Sequence, residues 1–474
     1  MRGWLVLRTQ AVPVPAASEL TGAAVMALAL AIRLPFLGGG QIDYDEGVYW
    51  QSLRNLAAGH PLFTSVYSSQ PPAFLAMLLP FHLLLGGSIA GERAGVLVLA
   101  MIGLAAAWRI GAALGGAWAG PAVAAALAVD PLSFRQSVTL QADGPAVALA
   151  LVALALALES RRRAGWPALA LAAAAAAVLA LAVQTKLFAV AAGPGVALAL
   201  AAAHPGSGRA GWRQPALGRL AAALAGGLAG TALILLPFLG SLAVAWQQVV
   251  GYHLDARSVA VGGIDASLLP EVPVVVLAVT GAVLAARRAP FLAATCLAWA
   301  VPAALLLAAQ HPLWPHHVVL LTTPLALLAG AGVLFLVEWR PRLAAGAVAL
   351  AAAGCLLAVG SVHGQQTPDA SRQSVVAALQ ASTSPGDLVV TDDPYAAALA
   401  GRTTPAELVD ATRLRETSGN LTATQAEAVT ARPEVRAVLL ATDRLVRLPG
   451  YQAWVAQRFP IVRDLGPGQT LYLR

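Results

Sequence analysis

The chain has one lysine, two cysteines and little charge of either sign in 474 residues. Lys186 is that lysine; the other 29 of its 30 basic residues are arginines. Cys296 and Cys355 both stand in apolar runs, which excludes a disulfide framework and a cysteine-based metal site. Charged residues make up 11% of the chain, against about 25% in a soluble globular protein. A single large water-soluble enzyme is therefore excluded. No internal repeat or long low-complexity linker is evident beyond the polyalanine of 171–177, which suits a helix.

What is abundant is apolar. Hydrophobic residues reach 58%, with 44 Gly and 31 Pro, and the Ala-Gly-Pro-Arg richness reads as a coding bias. A membrane-spanning helix needs about 20 mostly apolar residues. Eleven such runs lie near 19–37, 92–110, 117–134, 144–159, 165–184, 187–203, 220–240, 272–286, 291–309, 318–337 and 343–361. The first is not a cleavable signal, because Arg33-Leu34-Pro35-Phe36 stands where small residues would mark a cleavage site.

Ala73–Leu85 decides the topology. At 13 residues, interrupted by Pro80 and His82, it is too short to cross, and it reads as a helix dipping into the outer leaflet within a first outer loop of about 38–91. With the N-terminus inside, thirteen arginines then fall in inner loops, among them Arg2, Arg8, Arg161-Arg162-Arg163, Arg209 and Arg287-Arg288. Most acids, including Asp43, Asp45, Glu46, Asp143 and Asp265, fall outside, as the arginine bias of short cytoplasmic loops requires. The net charge of +7 resides in residues 1–361; residues 362–474 hold 11 arginines and 11 acids. It therefore reports membrane orientation, and no nucleic-acid partner is expected.

The expected fold class is thus an α-helical polytopic membrane protein with about eleven transmembrane helices over 1–361, in the cell (cytoplasmic) membrane. A small extracytoplasmic α/β domain follows over 362–474. In that tail Ser371–Ala381 and Ala423–Thr430 read as helices, and Asp387–Thr391 and Val435–Ala441 as buried strands. It carries no nucleotide-binding glycine loop and reads as an accessory domain.

The chemistry-bearing residues gather on the outer side. Asp43, Asp45 and Glu46 follow span one, with Tyr49 and Trp50 placed for the membrane interface. The plain alternative is a loop in which Asp45 caps a helix through Leu53, Leu56 and Ala57. Gln70-Pro71-Pro72 lies further along the loop, Glu92-Arg93 stands at the start of span two, and Asp143-Gly144-Pro145 stands at the mouth of span four, where helix capping is the plain alternative. Lys186 ends span five on the side where positive charge is disfavoured, though a lone terminal lysine usually snorkels. His311, His316 and His317 flank Trp314-Pro315, in hydrogen-bonding or metal-ligating company.

This order of motifs, over most of 19–340, resembles the GT-C membrane glycosyltransferases of the protein O-mannosyltransferase and aminoarabinose-transferase-like group. The resemblance implies transfer of a sugar from a polyprenyl-phosphate-linked donor to an acceptor on the outer face, with inversion at the anomeric carbon. The sequence departs from the group at Gln70, where aminoarabinose transferases tend to have lysine, and at His316-His317, which replace an Arg/Tyr neighbourhood.

Such chemistry needs a base for the acceptor hydroxyl and positive charge for the departing phosphate. Asp45 is expected as general base, since burial at the membrane surface raises a carboxylate pKa and makes it a better proton acceptor. Glu46 and Asp143 are expected to orient the acceptor or hold a divalent cation, their oxygen ligands suiting Mg²⁺ or Mn²⁺ better than zinc. Lys186, with Arg93, Arg33, His316 or His317, is expected to neutralise the phosphate, and Tyr49 and Gln70 to shape the substrate-facing loop. A lipid or envelope-glycan acceptor is favoured slightly over a protein. The rivals are a polytopic transporter or lipid-linked sugar flippase, and a non-catalytic scaffold.

Overall fold

The structure, a computed structural model, describes residues 16–202, 213–258, 263, 266–367 and 369–474. Arg2, Arg8, Arg209 and Asp265, used above to orient the chain, lie outside the described residues. The first nine helices are α1 (Ala16–Ala31), α2 (Tyr44–Ala57), α3 (Ala73–Leu84), α4 (Ile89–Gly115), α5 (Ala119–Val129), α6 (Pro131–Ser137), α7 (Asp143–Arg162), α8 (Gly165–Thr185) and α9 (Gly193–Ala201).

All eleven apolar runs are helical, and among the described residues nine helical segments are long and apolar enough to cross a membrane. The other two, Ala119–Val129 and Leu187–Ala201, are shorter than the runs suggested. The first stops because Asp130 leaves the helix to cap α6, accepting from the Ser133 amide at 2.8 Å, with Pro131 in the first helical turn. The second opens as a 3₁₀ segment, Leu187–Ala192, before α9. The 13-residue run of the first outer loop is the short helix α3.

Glycine and alanine set the helix crossings. A Cβ at Gly226 would lie 2.2 Å from the Ala173 carbonyl oxygen of α8, and one at Gly281 would lie 2.0 Å from that of Leu328. Lipid offers no hydrophobic drive for helices to associate, so close backbone approach through small residues supplies the contact. The small-residue richness that looked like coding bias thus has a packing role.

Arginines mark one end of the bundle. Arg161, near the end of α7, lies over the Phe291 ring at 4.2 Å, and Arg288 donates to Glu338 at 2.6 Å. From there α8 runs 21 residues, about 30 Å at 1.5 Å per residue, to Lys186 at the opposite end.

The last apolar helix, Pro341–Gln366, runs past the composition change at 361/362. Beyond it the tail forms a four-stranded sheet in the order β1-β2-β4-β3 (Leu388–Thr391, Val435–Leu440, Gln469–Leu473 and Ile461–Gly466). β1 and β2 are parallel and the other pairs antiparallel. Apolar residues are buried on both faces, under Ala370–Ser382 on one side and under Ala423–Thr430 and Tyr451–Arg458 on the other. This is the α/β arrangement expected of the alternating tail.

The tail docks on α2. Gln51 donates to the carbonyls of Pro394 and Arg402 at 3.2 and 3.0 Å and accepts from the Thr404 amide at 3.1 Å. At Gly47 a Cβ would come within 2.5 Å of the Tyr395 amide nitrogen, so the tail sits directly on the helix that carries Asp45.

Candidate active site

Asp43, not Asp45, caps α2. Its Oδ1 accepts from the Asp45 amide at 3.1 Å in extended backbone, the capping geometry that leaves the Asp45 side chain free. Glu46, one residue on, is fully buried and accepts four hydrogen bonds: Arg93 Nε and Nη2 at 2.8 Å each, the Ile42 amide at 2.7 Å and the Leu140 amide at 2.9 Å. A carboxylate has about four lone-pair sites, so none remains for a metal or an acceptor.

Arg93 is spent in the same knot. Its remaining donors reach the carbonyls of Phe36, Leu37, Gly39 and Gly40 at 2.7–3.3 Å. Arg33 is likewise buried, donating to Ser137 Oγ and the carbonyls of Ala29 and Ala128. The expectations that Glu46 holds a cation and that Arg93 and Arg33 meet the donor phosphate are therefore corrected. Glu46 and Arg93 hold the start of α2, the end of span one, α4 and the Leu140 turn in one position.

That knot presents Asp43 and Asp45 to Asp143 and Lys186. Lys186 is buried and turns inward, with Nζ 3.4 Å from Asp143 Oδ2. It does not snorkel, and Asp143, the first residue of α7, turns one carboxylate oxygen to Lys186. Asp43 Oδ2 lies 3.9 Å from both His316 Nδ1 and Arg135 Nη2. Burial, then the carboxylate of Asp43, push Asp45 well above the ordinary carboxylate range, against the pull of Lys186; Asp410 and Asp143 push the same way. The four groups share one electrostatic field.

Asp410 belongs to the tail, which read as accessory. It is buried, its Oδ1 accepting from the Thr412 amide at 2.9 Å. Arg415, donating to the Asp410 carbonyl at 2.7 Å, covers the Tyr67 ring at 3.6 Å and closes the tail over the first outer loop. Asp43 was visible in the sequence as a third acid without a role; Asp410 carried no local signal, since only docking brings it here.

Tyr49 and Trp50 are buried in the loop core and not placed at an interface. Tyr49 packs edge-on against Phe74 at 4.9 Å, and burial followed by Asp45 raises its pKa well above the ordinary tyrosine value. Trp50 donates to the Gly87 carbonyl at 2.8 Å. Gln70 lines a cavity of about 170 Å³ together with Lys186, His317, His253 and Arg257, walled by Val249, Val250 and Leu254. His253 and Arg257 went unnoticed in the sequence because they lie beyond the seventh apolar run, far from every other polar motif.

Asp143, His316 and His317 place one potential ligand atom each within 4.8 Å of one another, the group among the described residues that could hold a metal ion. One carboxylate and two imidazoles fit a divalent cation, and the imidazoles shift the preference from Mg²⁺ towards Zn²⁺ or Mn²⁺. The set differs from the oxygen-only pair expected from sequence.

No family model and no curated protein matches the sequence. Solved structures do share its fold. ArnT from Cupriavidus metallidurans in the apo state aligns with a TM-score of 0.66 at 14% identity, over 96% of this chain and 98% of that one. The same protein bound to undecaprenyl phosphate gives 0.64 at 13%, over 95% and 97%. The Archaeoglobus fulgidus oligosaccharyltransferase in complex with zinc and sulfate gives 0.53 at 12%, over 92% and 69%. The chain has the fold of these solved structures, and among its described residues nine helical segments are long and apolar enough to cross a membrane.

Proposed function

We propose that this chain is a membrane glycosyltransferase that moves a sugar from a polyprenyl-phosphate-linked donor to a hydroxyl acceptor at the outer face, inverting the anomeric carbon. The observation that carries the reading is the meeting of Asp45, Asp143 and Lys186 in one field at the end of the bundle opposite Arg161 and Arg288. The fold neighbours, one of them bound to undecaprenyl phosphate, support it.

In the reaction, the acceptor oxygen bonds to C1 as the bond from C1 to the phosphate oxygen breaks. The acceptor proton passes to the Asp45 carboxylate, and the lipid phosphate departs with the bonding electron pair. Asp45 suits the role because its raised pKa makes it a stronger base than an exposed aspartate. Lys186, with His317, His253, Arg257 and Gln70 around the 170 Å³ cavity, takes the growing negative charge on the phosphate. Val249, Val250 and Leu254 offer the adjoining lipid chain an apolar wall.

Asp143, His316 and His317 are the residues that would hold a divalent cation, which when bound adds positive charge beside the phosphate. The orientation proposed from the arginine asymmetry puts the N-terminus in the cytoplasm and the α/β tail outside, over 362–474. A transporter or flippase would place its charged groups near the bilayer midplane; here they gather at one end of α7 and α8.

The test is turnover of a panel of polyprenyl-phosphate sugars by the purified full chain in nanodiscs. Asp45→Asn is expected to lower transfer by about 10²–10⁴-fold, the usual contribution of a positioned base, with donor affinity within twofold of wild type. Transfer near the wild-type rate by Asp45→Asn refutes the assignment.

A further inference from the structure

Asp43 also lines a cavity larger than the donor cavity, of about 770 Å³. Its floor is the loop 38–44, one wall is the end of the last apolar helix at Gln365–Thr367, and the other is the tail helix Ala370–Ser382. Arg372, Gln373, Val376, Ala377 and Gln380 line it at the spacing of a single helix face.

The lining is rich in amides and poor in uncommitted charge. Five glutamines line the space, at positions 41, 365, 366, 373 and 380; Gln366 donates to the Phe36 carbonyl at 2.7 Å and Gln41 to that of Tyr44 at 3.5 Å, which leaves the amides of Gln365, Gln373 and Gln380 for a ligand. A primary amide offers two donors and an acceptor, which matches sugar hydroxyls that both give and take hydrogen bonds. Both arginines are committed: Arg372 lies 3.5 Å from Asp393 Oδ2, and Arg444 stacks on the Tyr44 ring at 3.8 Å. Three aspartates, Asp43, Asp369 and Asp393, line it too, and Asp43 is itself 3.9 Å from Arg135. A phosphorylated or carboxylated ligand would have to draw Arg372 from Asp393 or face the aspartates, a cost that a neutral ligand does not carry.

Asp43 joins this cavity to the reacting groups. It lines the cavity, caps the helix of Asp45 and faces His316 at 3.9 Å. The donor cavity, with Lys186 and His317, reaches the same cluster through Asp143 and through His316, whose ring lies 4.6 Å from that of His317. An inverting displacement requires the attacking oxygen and the leaving group on opposite faces of the sugar ring, and two separate cavities reaching one cluster give each reactant its own place.

From this we infer that the 770 Å³ cavity is the acceptor subsite, that it takes a neutral oligosaccharide, and that it delivers the acceptor hydroxyl past Asp43 to Asp45. The inference rests on the glycosyl-transfer reading above. Its test is binding to the full chain in nanodiscs, using neutral gluco-, galacto- and manno-tetrasaccharides, the same sugars with a terminal phosphate, and undecaprenyl phosphate.

At least one neutral tetrasaccharide is expected to bind, with its phosphorylated form tenfold or more weaker. Gln373→Trp on the tail helix and Leu399→Trp at the end of the short helix Pro394–Leu399, both lining the cavity, should each weaken the neutral sugar at least tenfold and leave undecaprenyl phosphate affinity within twofold. Failure of every neutral tetrasaccharide to bind, tighter binding of the phosphorylated forms, or undiminished binding by both variants overturns the inference. Failure of the wild type to bind undecaprenyl phosphate overturns the donor reading instead.

Discussion

Glu46→Ala tests whether the buried knot positions the site. The substitution removes both carboxylate oxygens, leaving the Arg93 guanidinium without its counter-ion and the Ile42 and Leu140 amides without an acceptor, all at sites with no solvent exposure for Glu46 or Arg93. Breaking a buried ion pair from one side costs about 3–5 kcal/mol, and the two stranded amides place this case in the upper half of that range. Replacing both partners costs less, because no uncompensated charge remains. In a cycle of Glu46→Gln, Arg93→Met and the double variant, the coupling energy is expected to be about 2 kcal/mol. Equilibrium unfolding of the full chain in mixed micelles measures these differences. The same knot sets Asp43 and Asp45 against the Leu140 turn before Asp143, so turnover by Glu46→Gln should fall further than donor affinity. A Glu46→Ala protein within about 0.5 kcal/mol of wild type, or strict additivity in the cycle, would refute the reasoning.

Four further outcomes are expected. The acid limb of the pH–rate profile should lie above the ordinary aspartate value of about 3.9, because Asp45 must be ionised to act and its pKa is raised; Asp43→Asn should move the limb to lower pH and Lys186→Met to higher pH, and the opposite movements contradict the field described. Lys186→Met should also weaken undecaprenyl phosphate binding about tenfold, roughly 1.4 kcal/mol, and an unchanged affinity removes Lys186 from the donor cavity. Zinc binding to the full chain, followed by calorimetry, should be lost in His317→Ala and kept in Glu46→Gln; retention by His317→Ala dissociates the Asp143 cluster from metal. Glu416, whose two carboxylate oxygens have no hydrogen-bond partner among the described residues, has its pKa pushed up to about 8 by burial and then by Asp392. The folded chain then holds a proton that the unfolded chain releases above about 4.3. Stability of the tail should therefore fall as pH rises from there to about 8, and Glu416→Gln should raise the unfolding midpoint at pH 8 and not at pH 4.

Much of the membrane domain was legible because apolar length is a local property. The runs that became α4, α7 and α8 are visible residue by residue, and the strand Val435–Leu440 shows as VRAVLL without reference to any neighbour. Helix breaks were less visible: the run 117–134 reads as one span, but Asp130-Pro131 ends α5 and starts α6. Capping depends on one residue's backbone angles, and Asp43 and Asp45 are equally good caps by type.

Side-chain partners were the hardest to read. Asp45, Glu46, Arg93 and Lys186 all stood out as charges in apolar surroundings, which is a statement about composition. How far each charge is balanced depends on residues far along the chain: Glu46 on Arg93 and Leu140, Lys186 on Asp143, and Asp45 in part on Lys186 and Asp410.

The sequence by itself determined that the chain crosses a membrane many times, which end of the bundle holds its arginines, and that a charge-balanced α/β tail follows. These follow from hydrophobic length and residue type, which every segment carries alone. Packing then settled which of the few charges around Asp45 are closed on partners. It closed Glu46 and Arg93 on each other, turned the single lysine inward to Asp143, and brought a tail aspartate to Asp45. In a low-dielectric setting a charge is either paired or costly to leave unpaired, and pairing is settled by which segments pack together.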